Sequence, residues 1–582
     1  MIYSVADNIV SPLGFGTEQN YLAVKAGLSA LRRYEQHWGL PDAFTASLFT
    51  DEQNTAMHLA GFTRFEALVM RCVQPLLTAT AIDVASDRVV FILATTKANI
   101  EQLQRGDESA ADIIPGVAAQ KIARSMGFTT MPIVVCNACI SGVAAIVLAQ
   151  QLLEAGCYDH AVVCGADVQD KFTVSGFQSL KAVAEDACRP FDIERLGLNL
   201  GEGAAAMVLQ RESTAADKEA LCSIDAGAVR NDAFHLSSPS KTGEGAHLAL
   251  QAICATEQAE ELAFINAHGT ATMFNDQMES IAIERAGLQA VPVNALKGTF
   301  GHTMGAAGIL ETVISIAALR NHTILASRGF EELGVSGHIR LSNRHETTDK
   351  RRFVKMISGF GGGNAAISVS LPSTLNHKPS TLNHKPSALN PQPSTLRHHI
   401  KVTERDIYLD GQTLPLQSRG RELLVEAYKA FVGDYPKFYK MDGLSRLGFV
   451  AAELLLQAER GTRLAETPEA RSDRAIILFN NTSSIVADRH YWATVRDLEA
   501  SFPSPAHFVY TLPNIVAGEL AIRHQYRGET SFYILPERRD DIMKQVVNAA
   551  LADATLSSAV TGWIDYPCDE QFEADLCLIY KS

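Results

Sequence analysis

An apolar, β-rich run that turns into a helical pattern at a cysteine constrains this sequence more than any other feature. In VVCNACISGVAAIVLAQQLLEAG the strand-like part stops at Asn137-Ala138, and the Ala-rich helical pattern begins at Cys139. A thiol in the first turn of a helix lies near the positive end of the helix dipole and near backbone N–H groups without helical partners. Both features favour a thiolate, so the pattern predicts a nucleophile at a strand-to-helix turn. A buried structural cysteine is the alternative.

Two histidines follow strand-like runs in glycine-rich surroundings. His268 lies in AFINAHGTATMFNDQMES, and His302 lies in NALKGTFGHTMGAAGILE. Small neighbours leave room for a substrate beside each ring, although a purely structural histidine is the alternative at either position. A further segment, ISGFGGGNAAISVS, places Phe360 among glycines between two strand-like runs. Backbone N–H groups in such a turn can face a developing oxyanion.

The thiol, the two imidazoles, a lysine and the Gly-Phe-Gly turn together resemble the β-ketoacyl-acyl carrier protein synthases of the thiolase superfamily. The resemblance covers residues 1 to 371. Its motifs are SPLG at Ser11, RPFDIERLGLNLGEGAAAMVL at Arg189, HGTAT at His268, KGTFGHTMGAAG at Lys297 and GFGGGN at Gly359. It implies an α/β protein with the five-layered αβαβα thiolase-like fold.

The same resemblance implies roles for the remaining motif residues. Lys297 is expected in the catalytic set, ordering the region of His302, with Glu311 as its partner or as a water organiser. Phe360 is expected to be a gating aromatic whose N–H forms an oxyanion hole with that of Cys139. The residues expected to contact substrate are Thr270, Thr272, Glu311, Asp276 and Gly361. Asp276 is expected to fix its loop, and no metal or cofactor is expected.

These residue types fit a decarboxylative condensation. A thiolate can take an acyl group from a thioester, which divides the reaction into two smaller steps. Two neutral imidazole N–H groups can then hold the thioester oxygen of a malonyl group while enolate charge develops. General fatty-acid elongation is the alternative within enzymes. A non-condensing scaffold or decarboxylase that holds carrier proteins is the alternative outside condensation.

The chain departs from the family pattern near the reacting residues. Asn137 replaces the usual threonine before Ala-Cys, and Ala271 replaces the second glycine of HGTGT. Arg195-Leu196-Gly197 stands where Arg-Asp-Gly is common, so Leu196 replaces the aspartate. These changes affect packing around the pocket and not the reacting atoms, so they favour a specialised branch over a housekeeping synthase.

Four parts are predicted along the chain. Residues 1–210 form the ketosynthase half with the nucleophile, and residues 211–371 form the half with both histidines. Residues 372–399 contain STLNHKP twice and related units, which we interpret as a linker because a proline in every unit excludes a coiled coil. Metal binding by the histidines of these units is the alternative.

Residues 400–582 are predicted to be a weaker copy of the first half. RAIILFNNTSSI from Arg474 aligns with RVVFILATTKAN from Arg88, and FVYTLPNIVAGELAIRHQYRG aligns with the nucleophile region. This alignment puts Asn514 in the place of Cys139, and an amide cannot form a thioester. The copy resembles an inactive, chain-length-factor-type subunit fused to its catalytic partner, as in aryl polyene and flexirubin-type pathways. A decayed duplication without a role is the alternative.

Composition limits partners and location. The net charge of −14 disfavours nucleic-acid binding, for which a basic face is expected. Acyl carrier proteins are acidic, so docking of an acyl- or malonyl-loaded carrier needs a local basic patch. The candidates are Lys25, Arg32 and Arg33, or Arg64 and Arg71. Ten cysteines without paired spacing and the lack of a long apolar run predict a cytoplasmic protein without a membrane span. A dimer, or an intramolecular pseudo-dimer of the two parts, is expected.

Overall fold

The computed structural model describes residues 1–105, 111–211, 220–254, 256–372, 395–464, 468–497 and 503–581. The strands are β1 (Ile2–Ser11), β2 (Gly14–Phe15), β3 (Arg32–Tyr34), β4 (Phe44–Ser47), β5 (Val89–Ala94), β6 (Ile133–Val135), β7 (His160–Asp167), β8 (Leu200–Gly201), β9 (Gly203–Arg211), β10 (Cys222–Asn231), β11 (Leu262–Asn266), β12 (Pro292–Asn294), β13 (Thr323–Ile324), β14 (Arg340–Leu341), β15 (Glu346–Thr347), β16 (Arg352–Gly359), β17 (Gly363–Ser370), β18 (Thr395–Thr403), β19 (Ile407–Leu409), β20 (Gln412–Thr413), β21 (Arg474–Asn480), β22 (Thr530–Ile534), β23 (Ser558–Cys568) and β24 (Gln571–Tyr580).

The helices alternate with these strands along most of the chain. They are α1 (Thr17–Lys25), α2 (Asp51–Met57), α3 (Arg64–Thr80), α4 (Pro115–Ser125), α5 (Ser141–Glu154), α6 (Lys171–Ser179), α7 (Glu244–Ile253), α8 (Met273–Arg285), α9 (Lys297–Phe300), α10 (Ala307–Arg320), α11 (Arg421–Ala427), α12 (Gly443–Arg460), α13 (Ile485–Val495), α14 (Pro505–Tyr510), α15 (Ile515–His524) and α16 (Asp540–Ala550). None of the described helices combines the length and the apolar character that crossing a bilayer requires.

Three sheets with one strand order organise the molecule. The first sheet runs β6–β5–β7–β9–β1, with β5 parallel to β6 and β7, followed by antiparallel pairs. The second sheet runs β12–β11–β16–β17–β10 with the same strand directions. The third sheet runs β22–β21–β23–β24–β18, again with the same directions. The sheet in the C-terminal part is therefore a topological copy of each sheet in the N-terminal part.

Helices α5 and α10 lie between the first and second sheets. Both helices are apolar on nearly all sides, which is the pattern of a helix buried all round. They approach closely because Gly308 faces α5: a Cβ there would lie 2.5 Å from the backbone nitrogen of Val143. Helix α3 covers the outer face of the first sheet, and α7 covers that of the second. The predicted five-layered αβαβα fold is confirmed.

The third sheet joins the first through an antiparallel strand pair. Tyr533 in β22 lies opposite Val135 in β6, and Ile534 lies opposite Val134. Helix α16 packs against α5 on one face of this continuous sheet, and α12 covers the third sheet on its outer face. Within the described range 395–581 there is one such five-stranded unit, whereas residues 1–372 contain two.

The end of the predicted linker needs correction. Residues 373–394, which carry most of the repeat, lie outside the described residues. The predicted boundary between 399 and 400 is wrong, because β18 already begins at Thr395 and pairs with β24 from there. The residues TLRHHI provide backbone groups that complete the edge of the third sheet, so the last five residues assigned to the linker belong to the folded part.

The alignment of Asn514 with Cys139 is also wrong. Strand β22 takes in the third sheet the place that β6 has in the first, and their antiparallel pairing makes Ile534 the counterpart of Val135. Arg538 follows Ile534 at the spacing at which Cys139 follows Val135. Asn514 instead precedes α15, the helix before the strand. The second part still offers no thiol at the nucleophile position, because that position is Arg538. The Arg538 guanidinium pairs with Asp540, Glu573 and Asp575.

Candidate active site

Cys139 lies in a tight turn between β6 and α5. The turn Ala138–Ile140 is a single 3₁₀ turn, so α5 begins two residues after the predicted start, at Ser141. Ala138 has a φ of 50°, a left-handed conformation that costs energy for a residue with a Cβ. The Ser141 hydroxyl closes the turn by accepting from the Asn137 N–H at 2.8 Å and donating to the Ala138 carbonyl at 2.6 Å. This backbone presents the Cys139 side chain to a cavity.

His268 and His302 reach the same cavity from two other elements. His268 follows the end of β11, and His302 follows the short helix α9. The two rings lie 4.9 Å apart between centroids and 80° from parallel. One donor atom from each ring and the Cys139 sulfur lie within 4.8 Å of one another. The fold thus brings together the three reactive side chains that the sequence predicted.

Both imidazoles are neutral. Burial lowers the pKa of His268 well below its usual range, and Lys297, His302 and Lys355 lower it further. The pKa of His302 falls for the same reasons, with burial first and the two lysines next. Two neutral rings can donate hydrogen bonds to a developing oxyanion without bringing a positive charge that would trap the substrate.

The expected thiolate at Cys139 is not the resting form. Burial raises the pKa of Cys139 to about 12, while Lys297 and the backbone N–H groups of Cys139 and Phe360 lower it less strongly. Desolvation therefore outweighs the helix-terminus effect on which the prediction relied. The thiol must lose its proton during attack, and a neutral imidazole beside it can take that proton.

Hydrogen bonding assigns the proton of His302. The Met304 N–H donates to Nδ1 of His302 at 3.3 Å, so in the neutral ring the proton resides on Nε2. Nε2 is buried and has no hydrogen-bond partner. The Nε2–H group of His302 can therefore donate a hydrogen bond to a substrate oxygen. A metal ion bound to Nε2 would leave the imidazole proton on Nδ1, where it would face the Met304 N–H donor. Cys139, His268 and His302 are the one group among the described residues that is close enough together to share a metal ion, and this hydrogen bond does not fit a metal there.

Lys297 and Glu311 lie behind the histidines and do not line the cavity. The Lys297 ammonium donates to the His268 carbonyl at 3.1 Å and to Glu311. Lys355 donates to the other Glu311 oxygen at 2.5 Å and to the Ala267 carbonyl at 3.2 Å. The three charged side chains are buried outside the cavity lining, and the two ammonium groups hold the His268 loop through its backbone carbonyls. The expectation that Glu311 contacts substrate finds no support in this placement.

Sequence reasoning missed two residues of this support. Lys355 stands in the strand-like run RFVKMISG, and a lysine inside an apolar strand was the available signal. Glu279 in α8 accepts hydrogen bonds from the N–H groups of His268 and Gly269, both at 2.7 Å. Burial and Asp276 raise the pKa of Glu279 to about 7, and burial lowers that of Lys355 to about 8.

Three predicted residues shape the loop after His268. The hydroxyls of Thr270 and Thr272 lie 2.9 Å apart, and both residues line the cavity. Asp276 is buried and accepts from the Phe191 N–H at 2.7 Å and from the Ala271 N–H at 3.2 Å. Asp276 therefore holds this loop, as expected from the resemblance, and lies outside the cavity lining.

Phe360 separates the cavity from the second part of the chain. Its N–H and that of Cys139 both act on the Cys139 sulfur and lower the pKa of that thiol. The ring stacks on Phe177, with centroids 5.9 Å apart. Its carbonyl accepts a hydrogen bond of 2.9 Å from the Asn514 side chain.

Gly361 faces away from the cavity. Its N–H donates to the Leu236 carbonyl at 2.7 Å, and a Cβ there would lie 2.7 Å from the Asn514 amide nitrogen. Its φ of 86° is the left-handed conformation that favours glycine. Gly361 therefore lets the Phe360 turn pack closely on α15, and it lies outside the cavity lining.

The cavity over Cys139 holds about 350 Å³. Its outer lining includes the exposed apolar residues Leu196, Met273 and Phe274. Of the candidate docking cations, Arg64 is only partly exposed and already pairs with Glu202 at 2.5 Å and Glu101 at 3.3 Å.

Comparisons with known proteins identify a protein family for most of the first 331 residues. Residues 15–215 match the family described as beta-ketoacyl synthase, N-terminal domain, and residues 221–331 match its C-terminal domain. A putative mitochondrial 3-oxoacyl-[acyl-carrier-protein] synthase of Schizosaccharomyces pombe is 29% identical over 44% of this chain and 65% of its own length. The tetracenomycin polyketide synthase ketoacyl synthase alpha subunit of Streptomyces glaucescens is 31% identical over 44% of this chain and 64% of its own. The chain thus spans less than two thirds of these relatives.

Solved structures share the fold. The chain called PfaC keto synthase–chain length factor has a TM-score of 0.72 at 14% identity, with 100% of this chain and 78% of that chain covered. A ketosynthase, ApeO, in complex with its chain length factor, ApeC, from Xenorhabdus doucetiae has a TM-score of 0.55 at 23% identity, covering 64% of this chain and 98% of that one.

Proposed function

The chain belongs to the β-ketoacyl synthase family, and from that premise we propose that it condenses a carrier-bound acyl chain with malonyl-acyl carrier protein, with loss of carbon dioxide. One observation carries the proposal. The Cys139 sulfur and one nitrogen from each of two neutral, buried imidazoles converge within 4.8 Å at the base of an open cavity. A nucleophile and two uncharged donors are what the two half-reactions need.

In the first half-reaction, the Cys139 sulfur attacks the acyl thioester while a neighbouring imidazole takes the thiol proton. A carbon–sulfur bond to Cys139 forms, the bond to the carrier thiol breaks, and the proton leaves with that thiol. The N–H groups of Cys139 and Phe360, which act on the Cys139 sulfur, are the donors for the oxygen that becomes negative in the tetrahedral intermediate. Cys139 then holds the acyl group as a thioester.

In the second half-reaction, the malonyl thioester loses its carboxylate as carbon dioxide. The electron pair of the broken bond moves into an enolate, whose oxygen accepts hydrogen bonds from His302 and His268. The enolate carbon attacks the acyl carbon on Cys139, and the thiolate leaves. Neutral rings suit this step because a protonated imidazole would form an ion pair with the malonyl carboxylate and stabilise it against loss as carbon dioxide.

We further propose that residues 395–581 replace a second ketosynthase subunit, as a chain-length-factor-type partner. In support, this part has one sheet with the strand order of a ketosynthase half, and it pairs with the catalytic part through β22 and β6. It carries Arg538 where the nucleophile would stand. A specialised polyketide or aryl-polyene-type pathway is favoured over general fatty-acid synthesis by Asn137, Ala271 and Leu196 near the site. Ten free thiols favour the cytoplasm.

The experiment that tests the function separates the two half-reactions. Cys139→Ala should lose acyl loading and condensation but keep malonyl decarboxylation, because the imidazoles remain. Loading is followed by intact-protein mass spectrometry, and carbon dioxide release is followed with labelled malonyl-acyl carrier protein. His302→Ala should load acyl groups but decarboxylate poorly. Normal condensation by Cys139→Ala would exclude the proposal, and decarboxylation without loading by the native protein would favour the non-condensing alternative.

A further inference from the structure

The buried carboxylate of Asp167 lies behind the turn that follows His302. Asp167 is the last residue of β7, is 2% exposed and lies outside the lining of the cavity. It accepts hydrogen bonds from the Thr95 hydroxyl at 2.8 Å, from the Thr96 hydroxyl at 3.1 Å and from the Gly305 N–H at 2.7 Å. One carboxylate therefore joins the ends of β5 and β7 to the turn before α10.

The turn between His302 and α10 is strained and packs on this carboxylate. Met304 has a φ of 54°, a left-handed conformation that surrounding contacts must hold for a residue with a Cβ. The Met304 N–H donates to Nδ1 of His302, and the next N–H along the chain, that of Gly305, donates to Asp167. A Cβ on Gly305 would lie 2.9 Å from Oδ2 of Asp167. Asp167 thus holds one end of the turn whose other end holds the His302 ring.

The His302 ring depends on this turn because other contacts fix only its backbone. The His302 N–H donates to the Asn199 carbonyl at 2.7 Å, and the His302 carbonyl accepts from the Gly201 N–H at 3.0 Å. These bonds do not set the rotation of the ring. The Met304 N–H sets it through Nδ1, since Nε2 has no partner among the described residues. The same bond keeps the ring proton on Nε2, where the enolate oxygen needs a donor.

We infer that Asp167 is a positioning residue for decarboxylation, which holds the Met304 turn so that His302 presents its Nε2–H to the malonyl thioester. The inference rests on the proposed function and adds to it a residue that lies in none of the family motifs. Acyl transfer to Cys139 does not use the Nε2–H donor. The inference therefore assigns Asp167 to one half-reaction and not to the other.

The charge of Asp167 gives the two half-reactions different responses to its removal. Burial raises the pKa of Asp167 to about 6, so the carboxylate is ionised at about pH 8. Burial is also the main reason that the pKa of the Cys139 thiol is raised to about 12; Lys297 lowers this pKa, and Asp167 raises it further. Without the negative charge the thiolate forms more easily, so acyl loading should not slow. General damage to the fold would slow loading and decarboxylation together.

The test measures both half-reactions of Asp167→Ala in the full-length protein at about pH 8. Loading is timed by intact-protein mass spectrometry, and carbon dioxide release is followed with labelled malonyl-acyl carrier protein. We expect the kcat of decarboxylation to fall about tenfold with little change in KM, because the ring is misplaced while the cavity lining stays intact. Loading should be as fast as in the native protein or faster. Asp167→Asn should restore decarboxylation to within about threefold, since its amide oxygen can still accept from the Gly305 N–H.

A matched control removes another buried carboxylate from the same loop. Asp170 is 3% exposed and caps α6 by accepting from the Thr173 N–H at 2.9 Å, without contact to the Met304 turn. Asp170→Ala should therefore leave the ratio of decarboxylation to loading unchanged. If Asp167→Ala fails to fold, Gly305→Ala displaces the turn from the other side, because its Cβ would meet the carboxylate. It should lower decarboxylation and leave loading near the native rate.

A second background tests whether Asp167 acts through the ring. On the residual decarboxylation of His302→Ala, the further change Asp167→Ala should have less than about a twofold effect, because the group that it positions is absent. A further tenfold loss there, or an unchanged ratio of decarboxylation to loading in the folded single variants, would overturn the inference alone. A native protein that neither loads acyl groups nor releases carbon dioxide would overturn the proposed function with it.

Discussion

The environment of the Cys139 sulfur determines when the nucleophile forms. Burial raises the pKa of this thiol to about 12, although two N–H groups and Lys297 favour the thiolate. At neutral pH the group is therefore a thiol, protected from indiscriminate alkylation and oxidation. Attack on a bound thioester remains possible because an imidazole lies beside the sulfur and accepts the proton as the new bond forms.

This environment predicts an unusual pH profile of alkylation. The pKa is raised, so the thiolate fraction at a given pH is lower than that of a free cysteine and grows until the pH approaches the raised value. We expect iodoacetamide labelling of Cys139 to increase about tenfold per pH unit from about pH 7 to about pH 10 without levelling. Peptide mass spectrometry measures it, with glutathione as the control that levels near its own pKa. A plateau below about pH 9 would contradict the buried-thiol assignment.

The ion-pair cluster of Lys297, Glu311 and Lys355 predicts that its variants lose unequal amounts of stability. Glu311 neutralises both Lys297 and Lys355, so Glu311→Gln leaves two buried ammonium groups without a carboxylate. We expect its free energy of unfolding to fall by about 3–5 kcal/mol in urea titrations. Lys355→Met leaves the Lys297–Glu311 pair intact and should cost clearly less. Equal losses for the two variants would mean that Glu311 does not hold both lysines together.

Local motifs made the reacting residues predictable, whereas their support was not. Cys139, His268, His302 and Phe360 each follow a strand-like run and a small-residue turn, patterns that are readable over a few positions. Glu279 and Lys355 act on the His268 loop from α8 and β16, at sequence distances that no local pattern encodes. The resting protonation of Cys139 was mispredicted because burial, which decides it, depends on the whole fold.

At the level of elements, Asn137 connects the nucleophile turn to the second part. Its side-chain oxygen accepts a hydrogen bond of 2.7 Å from the Phe532 N–H in β22, and the Cys136 N–H donates to the Phe532 carbonyl at 3.1 Å. The asparagine that departs from the family pattern thus extends the β6–β22 pairing by one further bond. A shorter threonine side chain at this position would reach less far.

Removing that acceptor should be measurable. Asn137→Ala leaves the buried Phe532 N–H without a partner, which costs about 1–3 kcal/mol in the free energy of unfolding. Because the bond holds the turn that carries Cys139, we also expect acyl loading to slow. Asn321→Ala, at an exposed helix end, is the control and should change stability by less than about 0.5 kcal/mol. A neutral Asn137→Ala would show that the strand pairing alone positions the turn.

The third sheet shows where sequence pattern misled and why. FVYTLP resembles a strand through its β-branched and aromatic residues, yet residues 505–510 form α14, whose N-terminus has Ser504 as cap and Pro505 in the first turn. Tertiary packing against Phe172 and Phe177 decides that conformation, not intrinsic preference. Aligning this segment with the strand-to-helix turn at Cys139 put Asn514 at the nucleophile position. The match of Arg474 with Arg88, in an apolar run, identified the correct element, because β21 takes the place of β5.

At the scale of the whole molecule, the two parts share their hydrophobic cores. One cluster of buried side chains joins Phe65 and Leu68 of α3 to Leu447 and Val450 of α12. Another joins the α5 side chains to Val546 of α16. The catalytic part therefore has apolar side chains, and not a polar surface, where it meets the second part. Two independently stable domains would each have a core of their own.

This shared core predicts the outcome of truncation. A protein ending at residue 372 would expose the edge of β6, the α5 face that α16 covers and the α6 face that α14 covers. Unpaired strand edges and contiguous apolar faces of this kind favour association. We expect it to aggregate or to pair with itself through β6, as measured by light scattering after size-exclusion chromatography. Co-expression of residues 395–582 as a separate chain should restore a soluble one-to-one complex, since the missing strand and helix return. A soluble, monomeric and fully active protein of residues 1–372 would contradict the partner role, because catalysis and solubility would then need nothing from the third sheet.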